Sequence, residues 1–178
     1  VAREAFGSVV LIPMFIAMSL SFGTAMMLLV IILMFRMSNL PVKDEVVTRL
    51  RSLLAYFVIA VAFFVAVDHL TRLYAVGYTG VERFLLVEGG IYPVLFWAGQ
   101  CLLGTVIPVI ALLTPRLAGR LPTVVASLLV LLGAFAQLYV LIVGGQAFPM
   151  DIFPGYTENS SYFDGVVAGY QPSLPELA

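Results

Sequence analysis

Four long apolar stretches alternate with short polar ones along this chain, and their lengths decide what must surround them. Residues 8–35 carry no charged side chain. A second apolar run, 53–67, continues to residue 74 through the polar cluster Asp68-His69-Leu70-Thr71-Arg72. The third covers 91–113 and the fourth 121–143. A bilayer core about 30 Å thick takes roughly 20 apolar residues of helix, so each run predicts one membrane-spanning helix. The short connection at 114–121 predicts an antiparallel hairpin of the third and fourth spans. The expected fold class is therefore all-α: a polytopic transmembrane helix bundle over residues 1–143. Residues 144–178 are expected to form a long loop outside the lipid that leads into a further helix. No internal repeat is evident.

Composition removes the alternative of a soluble core. Of 178 residues, 62% are hydrophobic and 11% charged, with a mean hydropathy of +1.08, whereas soluble domains run near a quarter charged. The net charge of -1 gives nucleic acid no purchase. Cys101 is the single cysteine and His69 the single histidine. These residues alone thus build no disulfide framework, no cysteine-ligated cluster and no bis-histidine haem site, and no metal is expected on this chain. The sequence starts at Val1 without a signal-peptide pattern. It closes on Ser173-Leu174-Pro175-Glu176, a serine cap with proline in the first turn and glutamate three residues on, which reads as a helix start. The expectation is an internal stretch of a larger membrane protein.

Charge in the loops predicts the orientation. Arg36, Lys43, Arg49, Arg51, Arg116 and Arg120 fall on one side, and Arg3, Arg72 and Arg83 on the other. The positive-inside rule makes the first side cytoplasmic. The opposite side collects eight of the ten acids, including Asp68, Glu82, Glu88, Asp151, Glu158 and Asp164, and takes the long loop with it.

Inside the spans, Ala17, Ser21 and Ala25, and likewise Ser19 and Gly23, repeat every four residues, a spacing that lets helix backbones approach closely in lipid. Pro13, Pro93 and Pro108 fall in spans and are tolerated where neighbours satisfy the freed carbonyls; Pro108 is expected to kink the third. Trp97 is expected to pack within the bundle. Ionisable groups at membrane depth are costly and mark either function or a specific pairing. His69 lies about 27 Å along a helix from Arg51, near the outer end of span two. Asp68 and Arg72, four apart, share a helix face and can pair. Glu88, Tyr92 and Gln100 can line a path inward along span three, with Gln100 about 18 Å deeper than Glu88. Asp68, His69, Arg72, Glu88, Tyr92 and Gln100 are thus the candidates for a quinone or proton path, and Asp68, His69 and Glu88 are expected to lie near one another. Polar glue between helices remains the other reading, for these and for Gln137 and Tyr139.

The stretch after the fourth span is punctuated by proline and glycine into turns, yet it carries Phe148, Ile152, Phe153, Tyr156, Tyr162 and Phe163. So many large apolar groups suit a loop that folds onto the bundle or docks a partner. Asp151, Phe153, Tyr156, Tyr162, Phe163 and Asp164 are the candidate docking residues.

Two segments carry a family resemblance. PMFIAMSLSFGTA, residues 13–25, resembles the proline, apolar run, serine and glycine of a span in the NrfD/polysulfide-reductase-type membrane subunits. GGQAFPMDIFPGYTENSSYFDGVVAGYQPSLPE, residues 144–176, is similar to the loop before their last helix, most of all in the HybB-like and DsrP-like branch. The resemblance implies helices six to nine of about ten in a heme-free, multi-pass subunit of the prokaryotic inner membrane. It implies exchange of electrons between menaquinone or ubiquinone and a ferredoxin-like four-cluster iron–sulfur protein on the outer face, beside other membrane and redox subunits, in settings such as anaerobic respiration and sulfur metabolism. It also places the quinone pocket in the amino-terminal bundle, outside these residues. A polytopic transporter or proton-conducting subunit, and a purely structural membrane anchor, are the competing readings. A transporter would show broken, repeated helices with charges near the midplane.

Overall fold

The computed structural model describes residues 6–38 and 44–148. Among these residues there is helix and turn but no strand. Four helices are long and apolar enough to cross a membrane: α1 (Leu11–Met37), α2 (Asp44–Tyr74), α4 (Ile91–Leu113) and α5 (Arg120–Ala147). Between α2 and α4 lies the short α3 (Thr79–Arg83), which continues as a wider turn through Phe84–Glu88. The expected spans and the α4–α5 hairpin are therefore present, and the chain is a multi-pass integral membrane protein. The α5 helix runs to Ala147, past the boundary expected at residue 143.

The bundle closes as a ring in which α1 packs on α2 and α5, and α4 packs on α5 and α2. The buried stripe of α1 is Met14, Ala17, Met18, Ser21, Ala25 and Leu28, so the Ala17-Ser21-Ala25 repeat does face the bundle. Ser19 and Gly23 face away from it, with the Ser19 hydroxyl donating to the Phe15 carbonyl at 2.6 Å. The closest helix approach is between α4 and α5. A Cβ built on Gly133 would stand 2.1 Å from Gly104 Cα, and one on Gly99 would stand 2.8 Å from Ala136 Cβ. Absent side chains at these positions let the two backbones touch.

Pro13, Pro93 and Pro122 each sit in the first turn of a helix, where no hydrogen bond within the helix is lost. Pro108 is the mid-helix exception, and the irregularity expected there lies upstream of it. Turns widen to the π form over Leu95–Val106, and the Ile107 N–H donates to the Leu102 carbonyl, five residues back. A second widened stretch, Tyr139–Gly144, lies on α5. Such turns cluster at functional sites, and these two flank the same region of the bundle.

The buried core divides into two layers along the helices. One, towards the Tyr74 end, holds Met14, Met18, Val61, Val65, Leu85, Tyr92, Phe96 and Val140. The other, towards the basic end, holds Leu28, Leu54, Ala55, Val58, Leu112, Ala126 and Val130. Outside them the surface is apolar too, with Ile12, Phe63, Val94 and Phe135 exposed, as lipid or further membrane helices require. Trp97 belongs to this outer surface: 58% exposed, its indole Nε1 donates to the Leu86 carbonyl at 3.1 Å. That corrects the expected packing role, because a nearby backbone acceptor satisfies the ring nitrogen while lipid or another helix covers the rest.

Arg51 is a second departure from the sequence reading, which counted it with the loop charges. It is only 6% exposed, seven residues into α2. Its Nη2 donates to the carbonyls of Ala111 and Thr114 at 2.7 and 3.0 Å. The Ala111 carbonyl is in the last turn of α4, where carbonyls lack partners in their own helix and favour a cation through the helix dipole. The Thr114 carbonyl, just past the helix, also accepts from the Leu117 N–H at 3.1 Å. Arg120 and Asp44 pair at 2.9 Å on the exposed side of the same end.

Candidate functional site

The most unusual chemistry in this apolar bundle is a group of charged side chains closed off by α3. Asp68, His69 and Arg72 project from the last two turns of α2. After Tyr74 the chain turns through Val76–Tyr78 and folds α3 back against α2, burying Val81, Glu82 and Leu85 on one face. Two of those three positions are apolar and fill the core. The third, Glu82, is 0% exposed and lies on the charged tip of α2.

Glu82 bridges that tip. Its Oε2 lies 2.7 Å from His69 Nδ1, and its Oε1 lies 3.6 Å from Arg72 Nη1. Arg72 Nη2 is 2.9 Å from Asp68 Oδ2, with both side chains 3% exposed. This last contact is close enough for an ion pair but is not aligned as a hydrogen bond. Arg72 Nε and Nη2, Asp68 Oδ1 and Glu82 Oε1 all lack a hydrogen-bond partner. Buried polar groups are nearly always satisfied, so this group is short of donors and acceptors in a way that a water would repair. The carboxylate at Nδ1 orients the imidazole and assigns the Nδ1 proton to that bond. Phe96 meets the ring edge-on, centroids 4.7 Å apart. Two carboxylates face one guanidinium, so the group carries one negative charge in excess until one proton is bound.

A cavity of about 20 Å³ opens against this group, lined by Asp68, His69, Arg72, Gln100 and Gln137 among apolar neighbours. A second, of about 10 Å³, continues on the far side of the same two glutamines and reaches Ser21 and Thr105. Roughly 10–15 Å³ accommodates one water, whereas small-molecule sites measure about 300–1,000 Å³. The cavity at His69 is water-sized. It does not fit a quinone head group.

Of the sequence candidates, the structure brings together Asp68, His69, Arg72 and Gln100. Tyr92 lies beside them in the core, stacked on Tyr139 with centroids 6.1 Å apart, and lines neither cavity. Glu88 is elsewhere. It is half exposed at the end of the α3 segment and pairs with Arg83 at 2.6 Å, so the expected grouping with Asp68 and His69 does not form. The widened turn at Phe84–Glu88 carries Glu88 outward, and Glu82 occupies the position expected of it. Gln137 joins the site from α5, its Nε2 4.0 Å from Met14 Sδ. Glu82 was missed, although Val81-Glu82 with Leu85 places it on the apolar face of a short helix, a signal the sequence does carry. The docking candidates Asp151, Phe153, Tyr156, Tyr162, Phe163 and Asp164 lie outside the described residues. Among the described residues no group of three or more His, Cys, Asp or Glu side chains could hold a metal ion.

The chain is 26% identical over 181 aligned positions to a protein of Archaeoglobus fulgidus described as an Hdr-like menaquinol oxidoreductase integral membrane subunit. The alignment takes in 98% of this chain and 45% of that relative, so the chain spans about half its length. No solved structure matches. The family model described as polysulphide reductase, NrfD matches residues 1–150. That match covers all four spans and the charged group between α2 and α3, and the chain belongs to the NrfD family.

Proposed function

We propose that this chain forms part of a heme-free, quinone-linked membrane subunit of a prokaryotic respiratory redox complex. The subunit would exchange electrons between menaquinone or ubiquinone and an iron–sulfur protein on the outer face of the inner membrane. The observation that carries the reading is family membership, together with the relative's description as part of a menaquinol oxidoreductase. The site geometry narrows it. A water-sized cavity suits proton handling beside a redox site and not the seating of a quinone ring. The quinone pocket is accordingly assigned to the remainder of the full-length protein. Glu82, His69 and Asp68 then hold and pass protons at the outer end of the bundle, beside the fixed positive charge of Arg72.

Turnover of the assembled complex tests this assignment. His69→Gln should lower quinone-linked turnover about a hundredfold or more, in the range general acid–base groups contribute, while the subunit stays assembled. Glu88→Gln, which alters only an exposed ion pair worth about 1 kcal/mol or less, should leave turnover unchanged. Equal rates for His69→Gln and wild type would return the cluster to a structural role.

The orientation is tested separately. With cysteine at Ser160 or Thr48, an impermeant thiol reagent added to intact spheroplasts should label Ser160→Cys alone. Labelling confined to Thr48→Cys would invert the topology. The aromatic segment is proposed to dock the iron–sulfur partner, with Phe153, Tyr156, Tyr162 and Phe163 as anchors and Asp151 and Asp164 on the rim. Aromatic anchors commonly cost about 2 kcal/mol or more when truncated. Tyr156→Ala combined with Phe163→Ala should release the extrinsic subunit from washed membranes while this protein remains inserted. Full retention of that subunit in raised salt would assign the segment to its own bundle.

A further inference from the structure

We infer that the bundle contains a hydrated half-channel for protons, open at the His69 end and sealed before the basic end. The inference concerns these helices alone and stands whether or not the quinone assignment holds.

Three observations carry it. First, the two cavities are consecutive. Gln100 and Gln137 line both, so water on either side of them can bond to the same pair of amides. Amide side chains offer a donor and an acceptor each, which suits a relay of single waters. Second, the entrance is charged and short of partners. Asp68 Oδ1 and Arg72 Nε are buried without a hydrogen bond at the first cavity, while His69, in the last two turns of α2, retains 18% side-chain exposure. The charged groups facing His69 are Asp68 and Arg72 on its own helix and Glu82 on α3. The described residues that α1, α4 and α5 contribute to the cavity, Met14, Phe96, Gln100, Gln137, Val140 and Leu141, are uncharged. With two carboxylates against one guanidinium, a proton is the cation this entrance is short of.

Third, the path stops. The second cavity ends against Val58 and Val130, and beyond them the buried layer is Leu28, Leu54, Ala55 and Ala126. From Val58 to Arg51 this layer spans about 10 Å along α2. Within it Ser127 is fully buried and lines neither cavity. The Gly104–Gly133 contact, which borders the second cavity, holds α4 and α5 together there. A proton entering from the His69 end therefore reaches the glutamine pair and Ser21 and returns by the same route.

Silver ion, a water-sized cation that reacts with thiols, distinguishes a half-channel from a sealed core and from a through-path. The full-length protein in its complex is used with Cys101→Ser, adding Ser21→Cys or Ser127→Cys, both near-isosteric. Tyr74→Cys, at a residue 92% exposed, marks the His69 side with an impermeant thiol reagent. Reaction at the site is read as protection from later alkylation of the unfolded chain, by peptide mass spectrometry. Ser21→Cys should be protected at least tenfold faster when silver is added on the Tyr74→Cys side, and Ser127→Cys should resist from both sides. Adding Gln137→Leu should abolish the reaction at Ser21→Cys, and Gln100→Leu serves the same purpose should that variant not assemble. Resistance of Ser21→Cys from both sides would show a dry core. Reaction of Ser127→Cys, or of Ser21→Cys from the basic side, would show a path through the bundle. Either result overturns the half-channel.

Discussion

Replacing Glu82 by alanine in the full-length protein should cost about 3–5 kcal/mol of stability, the loss typical when one partner of a buried ion pair is removed. Glu82 joins α3 to both His69 and Arg72. Without it the imidazole loses its acceptor, and the guanidinium keeps only Asp68 in a setting 3% exposed. Glu82→Gln should be milder, because an amide oxygen can still accept from Nδ1. A double variant, Glu82→Leu with Arg72→Met, should recover much of the loss, since an apolar replacement of a buried pair is often neutral. Thermal unfolding in detergent checks the series. Glu82→Ala should melt clearly below wild type, by a few degrees or more. Unchanged melting of Glu82→Ala would show that α3 is held by Val81 and Leu85 alone.

Gly133→Val should be comparably severe for a different reason. A Cβ there would lie 2.1 Å from Gly104 Cα, and that obstacle is backbone, which cannot rotate aside. The α4–α5 hairpin would have to open, at the upper end of the 1–3 kcal/mol typical of overpacking, with loss of the contacts bordering the second cavity. Gly23→Val on α1 is the matched control: nothing lies within 4 Å of its Cβ position, so its stability should stay within about 0.5 kcal/mol of wild type. Similar melting of the Gly133 and Gly23 variants would mean the close approach is not required.

How far the sequence carried the fold follows from the range over which each interaction acts. The spans were legible because about 20 consecutive apolar residues admit few other structures. The Asp68–Arg72 pair was legible because an i, i+4 spacing fixes a shared helix face. The burial of Glu82 was legible in its place beside Val81 and Leu85, but its partners were not, since they lie across a chain reversal and Glu88 offered an equally acidic alternative six residues on. Nothing in the local pattern reveals that the α3 backbone widens after Arg83 and swings Glu88 outward. Arg51 was hidden likewise: its partners are carbonyls 60 and 63 residues away, and backbone acceptors leave no trace in side-chain pattern. Trp97 was misplaced because a backbone acceptor at Leu86 allows an indole to lie on the outer surface.

The partners of Arg51 also impose an order on assembly. His69 meets Glu82 only 13 residues further along the chain, so the charged group can close as soon as α2 and α3 have been made. Arg51 must wait for the end of α4, some 60 residues after its own synthesis. Until then its guanidinium has to stay at the headgroup level, with the first seven residues of α2 drawn out of the hydrocarbon, because long cationic side chains near helix ends remain at the interface when unpaired. Arrival of the α4–α5 hairpin supplies the carbonyls and lets that end of α2 settle. The two ends of one helix therefore mature at different times during biogenesis, and a nascent chain halted before α4 would hold α2 higher in the bilayer than the finished protein does.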